Sequence, residues 1–361
     1  MSPGLFVPGR LCLFGEHSDW AGAYRARHPE LEPGLCLVTG TDQGLHADAE
    51  PDGAALVLES ELADGTRLGP EAIPMDPASL DAAARAGGFF SYAAGAAAEL
   101  RARHEVRGLR LRVRADLPVG RGLSSSAAIC VLVARAFARV WGLALDVWQE
   151  MEIAYAGERR AGSACGRMDQ ICAFGRRPTL LRFDGPRLEV ETLVPGRPLH
   201  LLVVDLRRSK DTRRILADLN ACYPDAPGPV AARVREALGE RNRALVLRAR
   251  AALEEGDPRA LGDLMGEAQA RFDACLAPAS PVELAAPRLH ELLAHPAVAE
   301  LAWGGKGVGS GGDGCAQLVA RGPEEACALA ARLERELGVA CLPLALRPER
   351  PPPHPLPARL A

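Results

Sequence analysis

Three stretches of the 361-residue chain gather residue types able to do chemistry. Pro118-Val119-Gly120-Arg121-Gly122-Leu123-Ser124-Ser125-Ser126-Ala127-Ala128 is a glycine- and serine-rich turn that runs directly into the apolar series Ile129 to Val140. Glycine lets the backbone turn tightly and approach a ligand, and the first turn of a helix presents unpaired amide hydrogens at its positive dipole end. The stretch reads as a phosphate-binding loop whose serines either cap the helix or face a metal ion. Leu123 rather than lysine precedes Ser124, so this is not a Walker loop. Pro8 to Trp20 gathers Arg10, Glu16, His17 and Asp19 at the end of a strand-like segment, a set that can exchange several hydrogen bonds with a polyhydroxylated ligand. Trp303 to Gly314 is a second glycine-rich loop, and it carries Lys306 and Asp313. Each stretch alone also has a plain structural meaning, as a capped helix, a solvated turn or a linker.

These stretches need elements to hold them. Leu5 to Phe14 reads as a strand, and Gly34 to Ala49 as one or two strands broken at Gly40 and Gly44. The charged, proline-containing loop Ala21 to Pro33 lies between them. Leu80 to His104 has the pattern of a helix, Leu109 to Ala115 alternates as a strand, and the Gly120 loop starts the next helix. Val147 to Ala161 is a further helix, and Leu199 to Leu206 a buried strand. From Arg213 to Leu301 the pattern is helical, with breaks at Pro224 to Pro229, Gly256 to Pro258 and Pro278 to Pro281. Strands and helices mix without regular alternation, which favours an α+β architecture. We expect one lobe over residues 1–205, a second over 206–346, and an extended, disordered proline-rich tail over 347–361.

Composition narrows the function. A net charge of −3 gives no electrostatic footprint for nucleic acid, and no apolar run is long enough to span a bilayer. The ten cysteines form no CxxC pair and no cluster with histidine, so they read as reduced, buried, small hydrophobes. The expectation is a cytoplasmic protein with a small-molecule ligand and no nucleic-acid or membrane partner, as a monomer or homodimer.

In order and spacing the three stretches resemble the three motifs of the GHMP kinases, the family of galactokinases, homoserine kinases, mevalonate kinases and phosphomevalonate kinases. The resemblance runs from residue 8 to about residue 320. Pro8-Gly9-Arg10, Gly15-Glu16-His17 and Asp19 are closest to the galactokinase form, as is Cys165-Gly166-Arg167-Met168-Asp169-Gln170. Glu158 stands eleven residues before Asp169, a spacing more similar to mevalonate kinases. Lys306 and Asp313 depart from the mostly small residues of the third motif, and the loop Ala21 to Pro33 reads as an insertion.

The resemblance implies a two-lobed fold, with an N-terminal lobe like the ribosomal-protein-type βαβ domain and a C-terminal ferredoxin-like α/β lobe. It implies transfer of a phosphoryl group from ATP to a small-molecule hydroxyl, most simply that of a sugar at C1, with Mg2+ as cofactor. Asp169 would be the catalytic base and Arg10 its charge partner. Gly120, Arg121, Gly122, Leu123, Ser124, Ser125 and Ser126, with Gly309, Gly311 and Gly312, would bind ATP. Ser126 and Glu158 would hold the metal, and Glu16, His17 and Asp19 would contact the substrate. The alternatives are a mevalonate-type kinase or one acting on a uronic acid or heptose phosphate, with an arginine of Arg207-Arg208 or the Arg25–Arg27 loop as anion contact, and a catalytically silent ligand sensor.

Overall fold

In Leu109–Ala115 apolar and basic residues alternate, so Leu109, Leu111, Val113 and Ala115 are buried while Arg112 and Arg114 face solvent. A computed structural model of the chain describes residues 4–118 and 122–348. Gly120 and Arg121, and the tail from 349 onward, lie outside the described residues.

The chain divides into two compact units. The first is formed by Met1–Arg10 and Gly40–Arg176, the second by Leu11–Thr39 and Arg177–Ala361. The expected boundary near residue 205 is linear, whereas this division is interleaved, because the strands Leu5–Phe14 and Gly34–Pro51 each pass from one unit into the other. Gly34–Pro51 is one unbroken strand of 18 residues. Gly40 and Gly44 mark close approaches rather than breaks: a Cβ on Gly40 would lie 2.2 Å from the Gly175 carbonyl, and one on Gly44 2.2 Å from that of Val7.

In the first unit Leu109–Ala115 pairs antiparallel with the latter half of Gly34–Pro51 and parallel with Ala55–Glu61, which pairs antiparallel with Arg67–Pro74. A parallel pair needs a long crossover. Here it contains two helices, Pro77–Arg85 and Ser91–Arg103, where one was expected; they are parted at Gly87, whose φ is +73°. Ser91–Arg103 packs with Ser125–Trp141 and Val147–Arg160. The first and last of these meet at a glycine pair, since a Cβ on Gly95 would lie 2.3 Å from the Gly157 carbonyl. That close approach buries the neighbouring Glu158.

In the second unit Leu199–Asp205, Ala302–Gly307, Cys315–Ala320 and Ala340–Leu346 form a four-stranded antiparallel sheet. With the helices between Thr212 and Leu301 and the helix Pro323–Leu337, the order is βαββαβ, that of the ferredoxin-like fold. Part of the second glycine-rich stretch is therefore strand, and the turn itself begins at Val308. The core of this sheet holds Leu202, Val204, Leu289, Leu292, Leu318, Leu329 and Leu333. Elsewhere in the unit the first half of Gly34–Pro51 pairs with Thr179–Asp184, which pairs with Arg187–Thr192. The architecture is α+β. Among the described residues no disulfide joins any of the ten cysteines, and no helix is long and apolar enough to cross a membrane.

Candidate active site

In the first unit the strand Leu5–Phe14 carries Arg10, and its amide donates to the Leu123 carbonyl at 3.0 Å, tying the glycine-rich turn to the strand. Gly9 makes room for this: a Cβ there would lie 2.8 Å from Thr41 Oγ1 and 3.1 Å from the Leu123 carbonyl. Gly122 has φ +95° and Ser124 φ +56°, so the turn enters the helix Ser125–Trp141 through left-handed backbone. A left-handed serine is strained, of the order of 1–3 kcal/mol. Ser124 makes no side-chain cap, and its buried Oγ has no hydrogen-bond partner among the described residues. Ser125 and Ser126 occupy the first helical turn and are half-buried.

Asp169 opens a short 3-10 helix, Asp169–Phe174, and pairs with the Arg10 guanidinium. The Arg10 side chain is 4% exposed and that of Asp169 26%, so the arginine is committed to the interior while the carboxylate keeps an open edge. Glu158, on the last turn of Val147–Arg160, is buried and accepts from Gln170 Nε2 and from the Ser126 hydroxyl. Its carboxyl is pushed up to about 7, first by burial and then by the negative charge of Asp169, while the Ser126 and Gln170 hydrogen bonds and Arg10 pull the other way. Arg10, Ser126, Glu158 and Asp169 thus come together. Gln170 belongs with them, and no local pattern marks it for that role, because its position against Glu158 depends on how the 3-10 helix packs.

In the second unit Glu16 is paired with Lys306, both side chains being at most 9% exposed. Lys306 Nζ also donates to the Gly307 carbonyl at 2.9 Å, and the Gly307 amide donates to Gln269 Oε1 at 2.7 Å. His17, with φ +69°, precedes the helix Ser18–Ala23, which occupies part of the presumed loop; its Nδ1 accepts from Trp20 Nε1 at 3.0 Å. The imidazole is held down at about 4, chiefly by burial, then by Lys210 and Lys306, against the raising effect of the Ser310 carbonyl. It is therefore neutral at pH 7, and the bond from Trp20 assigns its proton to Nε2. Asp19 is buried in the first turn of the same helix. The turn after Ala302–Gly307 is left-handed at Gly309, Gly311 and Gly312, with φ of +66°, +86° and +73°. Asp313 accepts from the Leu289 amide at 2.9 Å. A cavity of about 30 Å³ beside Glu16, Gln269, Phe272, Lys306 and Gly311 has room for a single water.

Of the two loop arginines weighed as an anion contact, Arg27 is exposed and Arg25 is occupied. Arg25 donates from Nε to Asp184 at 2.6 Å and from Nη1 to the carbonyls of Pro29 and Leu31, which folds the loop 21–33 onto itself. Arg207 and Arg208 are exposed.

Residues 91–176 match the GHMP kinases N terminal domain. The galactokinase of Roseiflexus sp. (strain RS-1) is 28% identical over 301 residues, covering 73% of this chain and 71% of the relative. That of Mycobacterium tuberculosis (strain ATCC 25618 / H37Rv) is 32% identical over 181 residues, covering 49% of this chain and 45% of the relative. Among solved structures, L. major mevalonate kinase in complex with R-mevalonate superposes with a TM-score of 0.72 at 18% identity, covering 97% of this chain and 98% of that one. Lactococcus lactis galactokinase complexed with galactose superposes at 0.70 and 18%, covering 95% and 93%. At these identities the structural likeness is one of fold. Residues 91–176 thus carry the N-terminal domain of the GHMP kinases, and the sequence relatives agree with a small-molecule kinase of that kind.

Proposed function

We propose that the protein transfers the γ-phosphoryl group of ATP to a hydroxyl of a sugar, at C1 in the galactokinase manner. The observation that carries this reading is the pair of carboxylates in the first unit, Asp169 against Arg10 and Glu158 against Ser126 and Gln170, in a unit that also holds a strained helix start. Phosphoryl transfer asks the protein for positioning and charge balance. In this reading Asp169 takes the proton of the acceptor hydroxyl, and Arg10 balances the charge that develops. Amides from Gly122 to Ser126, with Gly120 and Arg121, receive phosphate oxygens, as do those of Gly309, Gly311 and Gly312 in the second unit.

The donor set of the first unit fits Mg2+, a hard cation that prefers oxygen. Glu158 and Ser126 would hold it, and it would screen the repulsion from Asp169 that raises the Glu158 carboxyl. Bound there, the ion would neutralise charge on the terminal phosphates. Among the described residues no cluster of three or more His, Cys, Asp or Glu is arranged to hold a metal, so its other ligands would have to be phosphate and water.

Glu16, His17 and Asp19 are the proposed contacts for sugar hydroxyls. Glu16 enters that role already bound to Lys306, and His17 as a neutral Nε2 donor. The galactokinase relatives support a sugar acceptor. A mevalonate-type acceptor is the second reading, favoured by the Glu158–Asp169 spacing; its carboxylate would need a cation, and Arg25 is already engaged. The test is magnesium-dependent ADP release across aldohexoses, pentoses, uronic acids, a heptose phosphate, homoserine and mevalonate, with Asp169→Asn as control. Turnover of a sugar that the variant lacks is the expected result; turnover of mevalonate alone would replace this reading with the second.

A further inference from the structure

The chain contains only two lysines among its 43 basic residues, Lys210 and Lys306, and Lys210 meets the second glycine-rich turn, which begins at Val308. Lys306 belongs to the strand that leads into it. Lys210 comes from elsewhere, from the segment between the strand Leu199–Asp205 and the helix Thr212–Ala221, and reaches the turn from the side. Its Nζ donates to the Val308 carbonyl at 3.2 Å and to the Gly311 carbonyl at 2.6 Å. The same segment is fixed at two further points. The Asp211 amide donates to Glu283 Oε2 at 2.9 Å, and Thr212 Oγ1 lies 3.2 Å from Ser310 Oγ.

The backbone of the turn explains what such a clamp achieves. Gly309 and Gly311 are left-handed and Ser310 between them is not. A turn that sets left-handed beside other backbone can gather successive amide hydrogens on one side, the arrangement known as an anion-binding nest. It requires glycine and is flexible by itself. A cation that takes the carbonyls of Val308 and Gly311 together fixes the side on which the amides emerge. A compact ammonium with three rotatable donors can serve two carbonyls from one point, and a planar guanidinium presents its donors in a fixed fork instead. The turn is braced elsewhere by packing, since a Cβ on Gly311 would lie 2.4 Å from the Phe272 ring.

We propose that Lys210 is a positioning residue for phosphate binding: its ammonium holds the Val308 and Gly311 carbonyls so that the amides of the second glycine-rich turn are presented to a phosphate of the nucleotide. Lys210 acts through the turn rather than by touching the ligand. The proposal rests on the kinase reading above.

The test uses the full chain and its Lys210→Met and Lys210→Arg variants, with Kd measured by calorimetry for ATP with magnesium and for adenosine, which lacks phosphates. Lys210→Met should weaken ATP at least tenfold and leave adenosine within twofold, and Lys210→Arg should weaken ATP by less, because charge returns without the same reach. Unchanged ATP affinity in Lys210→Met would overturn the proposal. So would an equal loss for ATP and adenosine, which marks a general structural defect. If Lys210→Met does not fold, Lys210→Arg decides: loss of ATP affinity with adenosine unchanged supports the proposal, and no loss overturns it. Failure of the parent protein to bind ATP at all is a different outcome, and it removes the kinase reading itself.

Discussion

The two units desolvate charge with opposite sign. In the first, two carboxylates, Asp169 and Glu158, share the single guanidinium of Arg10, and the surplus negative charge appears as a Glu158 carboxyl raised to about 7. In the second, the His17 imidazole faces two ammonium groups, Lys210 and the Glu16-paired Lys306, and their positive charge helps lower it to about 4. Burial is the largest cause in both, because the charged form is what water loss penalises. The second cause differs, and it differs in the direction that a bound counter-charge would relieve: a cation for the carboxylates, an anion for the ammonium side. Perturbed groups of this kind mark functional sites more often than chance would give.

The comparison can be broken or sharpened in order of effect. Asp169→Asn should lower kcat by about 10²–10⁴-fold, the usual worth of a positioned general base, in the ADP-release assay. A variant within a few-fold of the parent would leave the first unit's carboxylates without a catalytic meaning. Glu16→Gln strands the Lys306 ammonium in the interior and should cost about 3–5 kcal/mol in urea unfolding. Pairing it with Lys306→Met should recover much of that loss; if it does not, the second unit is not governed by the ion pair.

Gln170→Leu removes a donor that orients Glu158, and should weaken magnesium binding by about 10- to 100-fold while leaving ATP affinity in EDTA unchanged. Equal loss with and without magnesium would place the effect on the nucleotide instead. The smallest effects are those of pH on stability, and they should run in opposite directions. Glu158 has a raised folded value, so its protonation favours the fold below about 4.5, and that contribution is lost as pH rises to about 7. His17 has a lowered one, so its contribution is present above about 6.5 and is lost as pH falls to about 4. Melting temperatures relative to Glu158→Gln and His17→Gln, taken across pH 4 to 8 without magnesium, should therefore diverge by a few degrees in opposite senses. Parallel curves would show that the two units do not differ as described.

Much of the local structure was legible in the residues. The alternation of Leu109–Ala115, the helix beginning at Ser125 and the strand Leu5–Phe14 follow from period-2 and period-3.6 patterns and from end signals. The strands Ala55–Glu61, Arg67–Pro74 and Ala340–Leu346 were not read. Arg67–Pro74 is largely exposed, and its burial pattern carries little of the alternation that would have marked it. Gly40 and Gly44 misled for a related reason: a glycine in a strand signals either an end or a close neighbour, and only packing distinguishes the two.

The sequence by itself determined several of the elements and brought three chemistry-bearing stretches to notice, because backbone preference and amphipathic period are properties of neighbours along the chain. Tertiary structure decided the partners. Arg10 meets Asp169 across 159 positions, and Lys306 meets Glu16 across 290. Whether a carboxylate is a free ligand or half of an ion pair, and whether a histidine is charged, depends on water loss and on the charges that folding sets beside it, and no local pattern records either.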